Sequence, residues 1–407
     1  MRNFACIISC GIAALAVAHT SEAVSRPNPS VSLTAQNANV VEHVATMHAR
    51  TTGAASTRKK STAPRVESAR SSAAATSPEY VVSTDSAYPD IAIVTEGTTT
   101  MISATNLDIC TAGEAFYSKF KDDRDMLFVF GQSDSKDLAN GYNAYYQGYR
   151  NFVGGIGLAV DGKDMPIETE CGSKTNLLGI ANMNATTKWK GFTAPVVDLW
   201  PLGVIAHEIG HQWISYLTKP ITGKTTDGKS VAVTLGSDSA SSNRGHWQQL
   251  VHTNASIMYG NAWVNVPFTK DKWVSALFPN EFTKLDKYLM GITDGSDIDN
   301  NAFVIKATKS NIPKNYAKPG YTATGTRVNI TRAAIKSVYG TRTESYPSGG
   351  TGNKKTYATG FILVVPKGQK PTADALKAVD YFRKRIPSKM NDATDGAFTL
   401  TTDIQSQ

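Results

Sequence analysis

The sequence predicts an α+β protein, on three observations. At 407 residues the chain is long enough to bury a sizeable core, in one large domain or two smaller ones. Short runs of strand composition begin near Tyr80, at residues 80–83, 91–94 and 98–102, with a short apolar run at 125–130 that reads as a central strand. Stretches with helical spacing follow at 114–120, 201–217, 280–291, 331–339 and 372–385.

The first residues read as an export signal over 1–23. Arg2 supplies the positive start, residues 4–17 are mostly apolar, and small residues around Ala16, Ala18 and Ala23 offer cleavage sites. That run is short for a membrane span, and no later stretch approaches twenty apolar residues. Residues 24–78 are rich in Ser, Thr, Ala, Pro and Arg, which cannot bury enough surface to offset chain entropy. They read as a disordered linker or pro-segment, with His43 and His48 as solvated side chains. Of four cysteines, Cys6 and Cys10 leave with the signal. Cys110 and Cys171 remain, an even pair in an exported chain, and the expectation is a disulfide.

Beyond the first strands, residues 142–152 are aromatic-rich. The glycine-rich run at 154–158 lacks a following helix and reads as a strand edge or turn, not a phosphate cradle. Residues 176–183 form a further strand candidate. After it comes the stretch from Pro201 to Leu217, which contains His207-Glu208-Ile209-Gly210-His211. Asp198 is placed to cap this helix, Pro201 suits its first turn, Val204, Ile205, Trp213, Ile214 and Leu217 give apolar spacing, and Pro220 ends it. On a helix, positions i and i+4 share a face, so His207 and His211 can point at one ion. Glu208 can then reach a water on that ion without ligating it. Two neutral imidazoles and an open position suit catalytic Zn²⁺.

Spacing alone does not fix a third protein ligand. His246 follows Gly245 on a turn that could bring it back, Asp286 and Glu281 lie on the later helix, and His252 is a further option. Residues 222–236 read as a polar hairpin or loop. Asp294, Asp297 and Asp299 lack the spacing and distal Glu of an EF-hand loop and read as a solvated turn. The last hundred residues, with strands at 303–305 and 361–365 and two helices, read as an α/β subdomain over 301–407 packed on a domain over 79–300.

The helix at 207–213 resembles the zinc helix of zincin metallopeptidases, and Ser256-Ile257-Met258-Tyr259 looks like the Met-turn of the metzincins. Together with Gly245-His246-Trp247 and residues 285–291, these motifs resemble a group of secreted bacterial zincin-like proteins. The chain departs from the metzincin pattern after His211, where Gln212 to Leu217 contain neither the expected Gly nor the expected His. A third ligand would then come from an insertion, and His246 is placed for it. Residues 283–288 partly resemble the aspartate motif of aspzincins, which would make Asp286 the ligand instead.

The resemblance implies a zincin-like catalytic domain with a mixed sheet, a Zn²⁺ cofactor on His207, His211 and His246, and Glu208 as general base in peptide hydrolysis. Tyr259 or Tyr288 would steady the developing oxyanion. The expected partner is a protein or peptide substrate. Two rivals stay open: an inactive binding protein on a zincin scaffold, and a zinc hydrolase of a cell-wall amide. The formal charge of +8 favours adhesion to anionic surfaces. No aromatic-interleaved basic motif supports specific nucleic-acid binding.

Overall fold

Strands covered on both faces read as unbroken apolar runs, because neither side chain of an alternating pair meets water. Three such strands lie side by side and parallel: β2 (Tyr88–Glu96), β13 (Thr356–Val365) and β3 (Met126–Gly131). Ile91, Ile93, Phe128, Phe130, Phe361 and Leu363 point to one face, and Ala92, Val94, Leu127, Val129, Ile362 and Val364 to the other. The computed structural model that gives this arrangement describes residues 79–103, 106–132, 144–151, 153–158, 171–189, 201–237, 245–299, 301–312, 317–343 and 356–407. The expected signal, the tail with His43 and His48, and Asp198 lie outside the described residues.

The first sheet runs β1-β2-β13-β3-β5-β4, with β14 (Thr399–Thr401) beside the start of β13. β1 (Tyr80–Asp85) is a hairpin partner of β2, and β5 (Gly179–Ala185) runs parallel to β3. β4 (Tyr145–Gly148) is antiparallel to β5 and makes the sheet mixed. Helix α1 (Ile109–Tyr117), capped by the Asp108 carboxylate, covers one face. Cys110 in this helix is disulfide-bonded to Cys171, with their Cα atoms 4.6 Å apart, as expected. The other face is covered by α2 (Pro201–Gly210) and by α5 (Ala373–Ala393), which runs on through Pro387 beyond the expected end near Arg385.

The second sheet runs β7-β6-β12-β10-β9. Its strands are β6 (Ile221–Thr225), β7 (Ser230–Val233), β9 (Trp263–Asn265), β10 (Lys272–Ser275) and β12 (Thr322–Asn329). β11 (Phe303–Ser310) pairs the far side of β12 and also β8 (Val251–His252). Residues 222–236 therefore supply the expected hairpin. Helices α3 (Lys284–Met290) and α4 (Arg332–Tyr339) complete the five helices found among the described residues. None of the five is long and apolar enough to cross a membrane.

Three expectations are corrected. Residues 98–102 do not form a strand: the Glu96 carboxylate takes the backbone N–H groups of Met101 and Ile102 at 2.5 and 2.6 Å, leaving a single bridge from Ile102 to Leu107. The first helix starts at Ile109, not Glu114, because Asp108 caps it there. The histidine helix ends at Gly210 rather than continuing to Leu217. Its last turn tightens, with Gln212 N bonding Ile209 O and Trp213 N bonding Gly210 O, and Ser215 then adopts φ +75°. Leu217 leaves the helix and its carbonyl pairs the N–H of Gly236. Trp213, Ile214 and Leu217 are still buried, in the core rather than on a helical stripe.

A division near residue 300 does not separate the sheets. β13 sits between β2 and β3, while β11 and β12 complete the sheet that β6 to β10 begin.

Candidate metal centre

The C-terminal end of α2 brings His207 and His211 to one side, one turn apart. His246 reaches the same point from the chain that follows Gly245. Gly245 has φ +82°, a region glycine enters without steric cost, and a side chain there would crowd the His211 ring. The three imidazoles offer ring nitrogens that all lie within 4.8 Å of one another. His207 Nε2 is 2.9 Å from His246 Nε2 and 3.1 Å from His211 Nε2.

The tautomer of His207 follows from its other nitrogen. Nδ1 lies 2.7 Å from the Ile257 carbonyl, so Nδ1 carries the hydrogen and donates, leaving Nε2 as a bare lone pair. Burial lowers the pKa of His207 to about 4, against the opposing pull of that carbonyl, so the ring is neutral at ordinary pH. A lone pair facing two further ring nitrogens at this range suits a shared cation. Nitrogens bound tetrahedrally to zinc at about 2.0–2.1 Å are roughly 3.3 Å apart, a few tenths more than the spacing seen. The donor set of three imidazoles fits zinc or another borderline transition metal.

Glu208 does not join this set. Its Oε2 is buried without a hydrogen-bond partner and stands 3.9 Å from His211 Nε2. Burial raises its pKa to about 8. A buried carboxyl with a raised pKa, beside three converging imidazoles, is a group that can hold and release a proton.

Beneath the histidines, residues 256–259 form a tight turn. Met258 is fully buried, and Tyr259, at φ +61°, sets its ring 4.8 Å from those of both His207 and His246. The turn is tied on two sides: Trp247 N donates to Met258 O, and Ile257 N donates to Glu281 O.

Asp286 is not among the converging donors. Its Oδ1 accepts the Trp247 indole N–H at 2.8 Å, and its Oδ2 accepts both the N–H and the hydroxyl of Thr283 at the start of α3. Ser256 also hydrogen-bonds this carboxylate. Burial raises the pKa of Asp286, and these bonds oppose that rise. Asp286 therefore joins α3 to the residue after His246 and to the turn under the site. Glu281 contributes backbone only, and His252 is turned away, with Nδ1 accepting from Trp263 N and its ring stacked 4.3 Å from Phe303. Tyr288 is packed against Gly295, with its hydroxyl on the Arg342 backbone, and is not brought to the histidines.

One set of site residues has no sequence signature. Gln212 Oε1 accepts the Tyr146 hydroxyl at 2.6 Å, its Nε2 donates to Arg150 O, and its carbonyl accepts from Asn151. This fastens the edge strand β4 to the residue after His211. A glutamine among Trp213, Ile214 and other apolar neighbours is the one visible hint, and its partners lie more than sixty positions away.

No family model matches the chain, and neither a curated protein nor a solved structure matches it.

Proposed function

We propose that the chain is an exported, zincin-like zinc peptidase. The observation that carries the reading is the convergence of His207, His211 and His246, with the buried, partnerless Oε2 of Glu208 at its edge. His207, His211 and His246 would hold the ion. When bound, Zn²⁺ supplies Lewis acidity toward a carbonyl and lowers the pKa of water at the site to about 7.

The chain's own residues do the rest. Glu208 would take a proton from the attacking water at Oε2 and deliver it to the leaving amine, a task suited to a carboxyl whose pKa lies above the ordinary range. The Ile257 carbonyl holds His207 in the tautomer that presents Nε2. The Met258 turn gives the site an apolar floor, and Tyr259 walls two of the rings. Export is supported by the apolar, small-residue start of the chain and by the Cys110–Cys171 bond.

The test is metal analysis of purified protein together with hydrolysis of casein and of isolated cell wall. The expected result is near-stoichiometric zinc and casein cleavage that chelator abolishes and zinc restores. Absence of bound metal, or casein cleavage indifferent to chelator, would overturn the reading. Chelator-sensitive release from cell wall alone would replace the peptide bond with a wall amide.

A further inference from the structure

The hairpin of β9 and β10 follows the Met258 turn by a few residues and ends in an apolar tip. Phe268 stands there fully exposed at 108% and with φ +62°, a backbone region that bulky residues rarely enter. The tip is held in place. Val266 N donates to Lys272 O at 2.8 Å, and both the N–H and the hydroxyl of Thr269 donate to Val266 O. The ring is thus presented to water on an ordered turn, and the burial it gains within the chain does not offset the backbone cost. Farther along β9, Val264 is 49% exposed and pairs directly with Val274.

The same face of the sheet is basic. Directly paired residues share a face. Lys272 on β10 and Lys309 on β11 both pair Thr324 of β12, and Lys306 pairs Thr326. Trp273, Ala323 and Ile305, which alternate with them, are buried on the opposite side. Lys272, Lys306 and Lys309 are exposed, as is Lys270 near the tip. Among the described residues none of these four lysines is in an ion pair, and Asp271 is the acid of the hairpin.

We propose that this face, with Phe268 as its anchor, docks the protein onto an anionic lipid bilayer. Lysines that reach an anionic surface each strengthen binding by roughly fivefold, and an aromatic ring buried at the acyl boundary adds a term insensitive to salt. A soluble polyanion would engage the lysines and leave Phe268 with nothing to enter, so the exposed ring favours the bilayer. The proposal stands independently of the reading of the histidine cluster.

Sedimentation of the full chain with vesicles tests it, using phosphatidylcholine alone or with a quarter phosphatidylglycerol. The expected result is binding to the anionic vesicles only, weakened by salt. Phe268→Gly should weaken it about tenfold or more while raising the thermal midpoint, because glycine accepts the φ of +62° without strain. The pair Lys272→Glu and Lys309→Glu should weaken it by more than roughly tenfold. Failure to bind the anionic vesicles, or binding unchanged in Phe268→Gly, would overturn the proposal. Binding that polyphosphate displaces and that Phe268→Gly leaves intact would assign the face to a polyanion instead.

Discussion

The sulfur of Met258 lies against the backbone of Gly210, so closely that a Cβ on Gly210 would come within 2.5 Å of Sδ and 2.9 Å of Phe282 Cε1. Gly210 stands between Glu208 and His211 in the chain, so the turn below the site and the helix that carries two of its histidines are packed as one unit. Both Met258 and Phe282 are fully buried, which leaves little room to yield.

Gly210→Ala should therefore cost about 1–3 kcal/mol in spite of alanine's better helix propensity. Combining it with Met258→Ala should recover part of that loss, since the smaller side chain makes room. Denaturant unfolding of the two single variants and the double variant gives the coupling. Strict additivity would show that the two residues do not meet.

The histidine site was more legible than the fold around it, for physical reasons. His207 and His211 are placed by helical geometry, which is local, and Gly245 lets the chain turn His246 back toward them. The end of α2 was not legible, because the pairing of Leu217 with Gly236 that draws the chain away is non-local. Nor was the position of β13, whose apolar run says that it is covered on both faces but not that it lies between β2 and β3. Trp247, Ser256 and Asp286 each look like ordinary core or turn residues until their hydrogen bonds are seen.

The pH dependence of the metal-free protein should carry the mark of Glu208. Its carboxyl has an ordinary value of 4.5 and is raised by burial to about 8 in the fold. Between those values the folded state holds a proton that the unfolded state has lost, so stability falls as pH rises, by up to about 1.4 kcal/mol per unit. Glu208→Gln should remove this slope, seen as a smaller drop in urea midpoint between pH 5 and pH 8 than in the parent. Zinc should flatten it too, since a nearby cation favours the carboxylate. His207 acts on the acid side: with its pKa lowered to about 4, its neutral form supports folding less and less as pH falls from its ordinary 6.5. The same Glu208→Gln variant should keep its metal and lose turnover by several orders of magnitude. Full turnover would remove Glu208 from the mechanism.

The Cys110–Cys171 bond closes a loop with a sequence separation of 61 and ties the start of α1 to the approach to β5. Chain entropy values such a closure at roughly 4 kcal/mol. Replacing both cysteines with alanine should lower stability by about 2–4 kcal/mol without emptying the histidine site, which lies on the other side of the sheet. Thiol labelling of denatured, unreduced protein should find neither residue free. Two labelled thiols would refute the bond.

The third ligand separates two versions of the site. His246 Nε2 lies 2.9 Å from His207 Nε2, whereas the Asp286 oxygens are engaged by Trp247, Thr283 and Ser256. Losing His246 removes one of three donors, and His246→Ala should release zinc on dialysis. Asp286→Ala leaves all three imidazoles in place but orphans the buried Trp247 indole N–H and the backbone N–H of Thr283, the residue that precedes α3. It should cost about 2–4 kcal/mol of stability and weaken zinc binding about 10–100-fold, because the segment carrying His246 is no longer fixed through Trp247. Trp247→Phe removes the same hydrogen bond from the other end, and should share the loss of affinity at a smaller cost in stability. Chelator-competition titration of the three variants decides the matter. If Asp286→Ala emptied the site while His246→Ala kept its zinc, the carboxylate would be the ligand and His246 its neighbour.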